Sequence, residues 1–122
     1  MSPSEKRLAS GRPHVLLVSS TLEDDGGIPV CVGQLAEALV AIGVEVGITG
    51  QHAGPIAAVI RGAAQRSHVT VDAVRAPWDP WGQWHAARRI GEIVRKAAAS
   101  ALADGRPFVV HIHGVWVAPV IA

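Results

Sequence analysis

The chain has 122 residues, of which 49% are hydrophobic and 17% charged, as is typical of a globular domain and not of a disordered chain. Eleven Lys and Arg against ten Asp and Glu give a net charge of +1, which is not the excess of positive charge typical of a nucleic-acid-binding protein. A single cysteine, Cys31, excludes an internal disulfide framework and a zinc site built on several thiolates. Because the sequence has neither a transmembrane stretch nor a signal-peptide core, we expect a cytoplasmic protein.

The two ends of the chain differ in composition. Residues 1–12 are polar and basic, and we expect them to be a disordered lead-in to a domain spanning residues 13–122. Residues 115–122 carry no charge and are largely apolar. Since folded domains seldom end inside an apolar stretch, we interpret the chain as a piece cut from within a larger domain.

The first half predicts a strand, a helix and a second strand. Residues 14–19 are short and apolar in their middle, which is typical of a strand buried on both faces. A polar loop ending in two glycines follows, and residues 28–43 then have helical spacing, with Pro29 in the first turn and Gly43 after the last. Residues 44–49 have apolar side chains at alternate positions, which predicts a second strand. The helix face expected to be buried consists of Cys31, Leu35, Ala38, Leu39 and Ile42.

The second half repeats this alternation. Pro55 can open a short helix, and residues 69–74 predict a third strand. The Asp79–Pro80 pair is an N-cap followed by proline at the first helical position, so a long helix is expected from there to about residue 103. Residues 108–112 predict a fourth strand.

Strands that alternate with helices predict an α/β fold with a Rossmann-like parallel sheet and helices on both faces. In the commonest doubly wound order, 3-2-1-4, the first and fourth strands are neighbours. Ligands bind at the switch point between their carboxyl ends. The two most unusual segments of the chain, residues 23–27 and 111–116, leave these two ends.

The first of these segments suggests an anion site. Gly26 and Gly27 lie where a helix begins, and a helix N-terminus offers unpaired N–H groups to a phosphate or diphosphate. A tight turn that needs glycine is the alternative. Asp24 and Asp25 argue against a phosphate directly above them, and they can instead cap the helix or face an acceptor hydroxyl.

The second segment carries two histidines, His111 and His113, which project to the same face of a strand. A metal site would need a third ligand, and no Asp, Glu or Cys follows within reach. We expect His111 to be buried and hydrogen-bonded to backbone, and His113, at the end of the strand, to point into the crevice.

The chain has four tryptophans but no tyrosine. Indole faces stack well on sugar rings, yet Trp81 and Trp84 have helical i,i+3 spacing, and we expect both to pack in the core. Trp116 follows the histidine segment and is assigned either to the crevice or to packing. Cys31 is expected to pack on the apolar helix face.

The order of these features resembles a known family. The segments that carry the resemblance are 14–19, Gly26–Gly27, 35–39 with 43–46, and 109–116. Together they resemble the N-terminal domain of retaining glycosyltransferases of family 4, which have the two-domain GT-B fold, and His111 to Trp116 resembles members that assemble exopolysaccharides. Val44 replaces the histidine usual in the family. The match spans about residues 13–118, so the chain would be an incomplete N-terminal half of a GT-B fold.

The resemblance implies transfer of a sugar from a nucleotide-sugar donor to a carbohydrate or lipid-linked acceptor in polysaccharide biosynthesis. It assigns Gly26 and Gly27 to the donor-diphosphate loop and His113 to the donor sugar, as the catalytic residue. Asp25, Gly114 and Trp116 are expected at the acceptor crevice.

The resemblance also implies that no metal or other cofactor is needed and that the full-length enzyme works at the inner face of the membrane. The donor-binding half would lie outside this chain, so the chain alone is expected to be inactive. Two other classes stay open, a free-standing flavodoxin-like binding or regulatory module and a metal hydrolase that uses the two histidines.

Overall fold

A computed structural model describes residues 12–23 and 27–114, and in these ranges the predicted strands and helices all form. Their bounds are β1 (His14–Ser19), α1 (Gly27–Ala41), β2 (Glu45–His52), α2 (Ala58–Ser67), β3 (Thr70–Arg75), α3 (Pro80–Ala103) and β4 (Phe108–His113). Arg12, the last residue of the predicted lead-in, is held in place: its Nε donates to the carbonyl of Gly43 at 2.9 Å.

The four strands form one parallel sheet in the order β3-β2-β1-β4, which confirms the predicted α/β fold and strand order. Ser19, the last residue of β1, is aligned with Gly50 of β2 and with His113 of β4. The carboxyl ends of β1 and β4 are therefore neighbours. This is the arrangement in which a doubly wound sheet opens a crevice for ligands.

Two apolar cores lie on opposite faces of the sheet, as the continuously apolar β1 predicts. Helices α1 and α2 cover one face, where Leu17 and Ile48 are fully buried, and α3 covers the other, where Val18 and Ile90 are fully buried. Side chains in adjacent strands at one register position share a face. His111, aligned with Leu17, therefore projects to the α1 side of the sheet.

The predicted helix boundaries have the expected capping geometry. Gly43 has φ +89°, and its N–H and that of Val44 bond back to the carbonyls of Val40 and Leu39, which closes α1 with a glycine cap. Asp79 caps α3, because its carboxylate accepts the N–H of Gly82 at 2.7 Å. None of the helices in the described ranges is both long and apolar enough to cross a bilayer.

The predicted buried face of α1 is wrong in part: Leu35 and Leu39 are partly buried and pack against the core, but the other three predicted residues are exposed. Cys31 is exposed, so it does not pack as expected, and Ile42 is 76% exposed. The residues that the helix buries are Pro29, Val32, Gly33 and Ala36. The reason is close packing between helices: a Cβ on Gly33 would lie 2.8 Å from Cγ2 of Val59 in α2, so the face that contains Gly33 is turned to α2, and Cys31 and Ile42 are turned outward.

Candidate functional site

The chain segments that leave β1 and β4 lie against each other at the carboxyl edge of the sheet. The N–H of Ser20 donates to the carbonyl of His113 at 2.8 Å, which extends the pairing beyond β1. Gly114 follows with φ +121°, and a Cβ there would overlap the side chain of Ser20. Only glycine fits this conformation and this close approach. Gly114, which was predicted to line the crevice, therefore allows the segments that follow β1 and β4 to lie in contact.

His111 and His113 lie on one face of β4, as predicted, and their rings stack with centroids 4.4 Å apart. The expectation that His111 is buried and hydrogen-bonded to backbone is wrong, because its side chain is exposed. β4 is an edge strand, and α1 packs over β1 and β2 instead. His111 is therefore the outer ring of the pair.

His113 is the more enclosed of the two histidines. It is half-buried, and its Nε2 is a buried atom that has no hydrogen-bond partner in the described part of the chain. Burial, and then the neighbouring His111, lower the pKa of His113 below its ordinary value. A neutral imidazole with an unused nitrogen is thus held at the carboxyl end of β4.

A carboxylate that the sequence did not single out as a site residue, Glu23, joins three loops at the same edge of the sheet. Its Oε1 accepts the N–H of Ala53, the N–H of Gly54 at 2.9 Å and the indole N–H of Trp78 at 2.7 Å. The two backbone bonds are the largest of the causes that lower the pKa of Glu23, and the Trp78 bond lowers it further. The carboxylate is therefore ionised and fixed, and it ties the loops after β1, β2 and β3 together.

Gln51 supports the same loops from below. It is fully buried at the end of β2, and its Nε2 donates to the carbonyls of Ala76 at 3.2 Å and Pro77 at 2.9 Å. These bonds fix the β3–α3 loop, which carries Trp78. Sequence patterns singled out the segment 23–27 but gave no role to Glu23 and did not mark Gln51, because their partners are 25 to 55 residues away along the chain.

Gly27 is the first residue of α1, as the anion-site prediction requires, and a Cβ there would meet nothing within 4 Å. Its position therefore does not need glycine for packing. Three of the predicted site residues, Asp25, Gly26 and Trp116, lie outside the described residues.

The expectation that Trp81 and Trp84 pack in the core is wrong. Trp81 is 81% exposed and Trp84 is 56% exposed, both at the start of α3. The face that α3 turns to the sheet is built around small residues and two larger aliphatic ones, Ile90 and Val94, and the two indoles lie off the middle of this face and point outward. That buried face consists of Gly82, Ala86, Ala87, Ile90, Gly91, Val94 and Ala101.

A second polar cluster lies at the opposite, amino edge of the sheet. There Arg106 pairs with Glu45, whose other oxygen is 3.5 Å from Nδ1 of His14. The pKa of His14 is lowered, chiefly by burial. Burial raises the pKa of Glu45, but the hydrogen bond and charge of Arg106, together with the charges of His14 and Arg12, make the net shift of Glu45 a lowering. A cavity of about 240 Å³ lies beside this cluster, and one of about 590 Å³ lies along β3 and α3.

We assign the candidate site to the carboxyl edge despite these cavities. In the lining of the amino-edge cavity, Glu45 already pairs with Arg106 and lies beside His14, and both cavities lie away from the switch point between β1 and β4. In residues 12–23 and 27–114, no group of three His, Cys, Asp or Glu is placed to hold a metal ion.

Comparison with known proteins adds no assignment. No protein-family model, no curated protein and no solved structure matches the chain.

Proposed function

We propose that this chain is the acceptor-side domain of a retaining glycosyltransferase, which moves a sugar from a nucleotide-sugar donor to a carbohydrate or lipid-linked acceptor. The observation that carries the proposal is the position of His113. The crevice between β1 and β4 is where a doubly wound sheet binds ligands, and His113 stands at its β4 side with an unpartnered Nε2 in the described part of the chain. A buried polar atom without a partner costs stability, so its retention favours a functional role.

In the proposed reaction the bond between the sugar's anomeric carbon and the diphosphate oxygen breaks. The acceptor hydroxyl oxygen forms a new bond on the same face of the anomeric carbon, and its proton leaves with the diphosphate. On this proposal the half-buried ring of His113 turns to open its Nε2 to the crevice, where that nitrogen hydrogen-bonds a hydroxyl of the donor sugar and fixes the sugar's orientation. Because its pKa is lowered, the imidazole stays neutral and adds no charge beside the reacting centre.

The N-terminus of α1 supplies the second element of the proposed site. The N–H groups and the partial positive charge of a helix N-terminus favour a diphosphate, and Gly27 leaves space for a close approach. The groups that bind the nucleotide belong, on this proposal, to a donor half outside this chain. We therefore expect no sugar transfer by residues 1–122 alone.

The test begins with the coding sequence beyond codon 122. The longest reading frame that contains these residues is expressed and assayed for transfer from a panel of nucleotide sugars. His113→Ala should lower kcat by roughly two- to tenfold, the value of one positioning hydrogen bond, and raise the donor KM less. His111→Ala, on the same face of the same strand, is the matched control and should keep its turnover.

Gly27→Ala adds a second measurement. Because a Cβ at Gly27 meets nothing in the structure, the variant should keep its melting temperature, so a weakened donor affinity would report the diphosphate contact. The proposal is overturned if no donor-binding half is encoded and no nucleotide sugar is turned over. If the protein transfers sugar and His113→Ala retains full activity, the function stands and the role assigned to His113 is refuted.

A further inference from the structure

The start of α3 presents two indole rings to solvent. Trp81 is 81% exposed and Trp84 56% exposed, whereas the helix buries Gly82 and Ala86 against the sheet. Tryptophan is costly to leave in water because its ring is large and apolar. Two such rings one turn apart therefore point to a partner that covers them.

The next turn carries an arginine, Arg88, with which no carboxylate of the described residues pairs. The guanidinium of Arg88 lies over the ring of Trp84, 4.9 Å from its centroid. The adjacent Arg89 is neutralised by Glu92 at 3.2 Å, whereas no carboxylate in the described ranges pairs with Arg88. The surface of Trp81, Trp84 and Arg88, which we call the α3 platform, thus combines the open ring of Trp81, the ring of Trp84 with Arg88 over one face, and a positive charge that no described carboxylate neutralises.

We propose that the α3 platform binds a carbohydrate that carries a carboxylate, with sugar rings stacked on the indoles and the carboxylate paired to Arg88. The apolar C–H face of a pyranose matches an indole, and a guanidinium offers two parallel N–H groups to a carboxylate. The charge of the ligand is inferred from the unpaired Arg88. The choice of a carbohydrate rests on the function proposed above, whose acceptor this glycan would be.

The platform is fixed with respect to the candidate site. Asp79 caps the first turn of α3, and Trp78, immediately before it, bonds to Glu23 at the carboxyl edge of the sheet. The aromatic rings are therefore held on a rigid helix end beside the loops that form the crevice. A platform at this place can hold the part of a glycan chain that extends from the reacting sugar.

A membrane surface fits these residues less well. An interfacial helix needs an apolar face along its length, but the apolar face of α3 is already buried against the sheet through Ile90 and Val94. Beyond the two indoles, its exposed side continues with charged residues of both signs, including Glu92. Attraction to anionic lipid takes a cluster of several basic residues without acidic ones between them.

The test uses two oligosaccharides with the same backbone. They are cellotetraose and its counterpart oxidised at every C6, a tetramer of β-1,4-linked glucuronic acid. Each is titrated into the 122-residue chain without any nucleotide sugar, and binding is followed by tryptophan fluorescence and calorimetry. We expect the acidic tetramer to bind at least tenfold more tightly than cellotetraose, with an affinity that falls as salt is added.

The variants separate stacking from charge. Trp81→Ala should lower the affinity for the acidic tetramer at least tenfold. Arg88→Gln should lower the affinity for the acidic tetramer to that for cellotetraose. Arg61→Gln, at an exposed arginine of α2 on the opposite face of the sheet, is the matched control and should change little. Melting temperatures should stay near that of the wild type, because the altered side chains are exposed.

Three results would overturn the proposal. They are equal affinity for the two tetramers, undiminished binding by Trp81→Ala, and binding to phosphatidylglycerol vesicles but to neither oligosaccharide. Because no donor is present, the outcome is independent of transfer. Glycan binding by this chain with no transfer by the longer reading frame would refute the proposed function alone, and transfer with no glycan binding would refute the platform alone.

Discussion

Replacement of His113 by leucine is expected to make the protein more stable, not less. The Nε2 of His113 is buried without a partner in the described ranges. Leucine is close to histidine in size and carries no polar atom to desolvate. A buried unsatisfied group costs about 1–3 kcal/mol, and because the side chain is half-buried we take the lower end, about 1 kcal/mol.

For a domain of this length, a gain of about 1 kcal/mol raises the melting temperature by roughly 3–6 °C. Calorimetry at pH 7 measures this shift directly, and denaturant unfolding followed by fluorescence gives the free energy. His111→Leu is the matched control, with the same substitution on the same face of the same strand. Because His111 is exposed, its replacement should change the stability by less than about 0.5 kcal/mol.

The pH dependence provides an independent check. The pKa of His113 is lower in the folded protein than in the unfolded chain, so the unfolded state binds the proton more readily. Neutral His113 therefore makes its full contribution to the free energy of unfolding above the ordinary histidine pKa of about 6.5, and this contribution is lost as the pH falls through the folded-state pKa. Since leucine does not titrate, the advantage of His113→Leu should widen between pH 7 and pH 5.

Two results would refute this reasoning. One is a melting temperature for His113→Leu that lies several degrees below that of the wild type, which would mean that the imidazole contributes packing or a bond that leucine lacks. The other is a difference between variant and wild type that stays constant from pH 7 to pH 5. The protein expressed from the longer reading frame can also be assayed with His113→Leu. If this variant is more stable but no longer transfers sugar, the imidazole is kept at the expense of stability.

Two further predictions concern the loops at the carboxyl edge. Glu23→Gln should lower the free energy of unfolding by about 1 kcal/mol near neutral pH, because a neutral amide accepts the three N–H groups less strongly. Since the pKa of Glu23 is lowered in the folded protein, this difference should be present above the ordinary carboxyl pKa and be lost as the pH falls through the folded-state pKa. Acid unfolding of variant and wild type measures it, and equal acid-unfolding curves would contradict the prediction. Gly82→Ala should destabilise the protein by several kcal/mol, because the new Cβ would overlap the carbonyl of Pro77. Gly27→Ala, also in the first turn of its helix, is the control and should leave the thermal melt unchanged. Equal melts for the two variants would contradict the close approach of Pro77 to Gly82.

The periodicity and capping residues of the sequence determined the elements and their order. Residues 14–19 and 108–112 were recognisable as strands because their apolar runs are short, and Asp79 and Gly43 marked helix ends through local chemistry. Since alternating strands and helices admit few topologies, the sheet order followed from the same patterns. The alignment of His111 and His113 on one face was also a local property, because it depends only on the strand period of two.

Tertiary structure alone decided which side chains are buried and which loops meet. Cys31 and Trp81 are exposed because Gly33 and Gly82 make the closest contacts in their helices, and a periodicity based on hydrophobicity gives no weight to glycine. His111 is exposed because β4 is at the sheet edge. The bonds of Glu23 to Gly54 and Trp78 join segments 31 and 55 residues apart, and such bonds depend on how the folded loops converge, which no local pattern encodes.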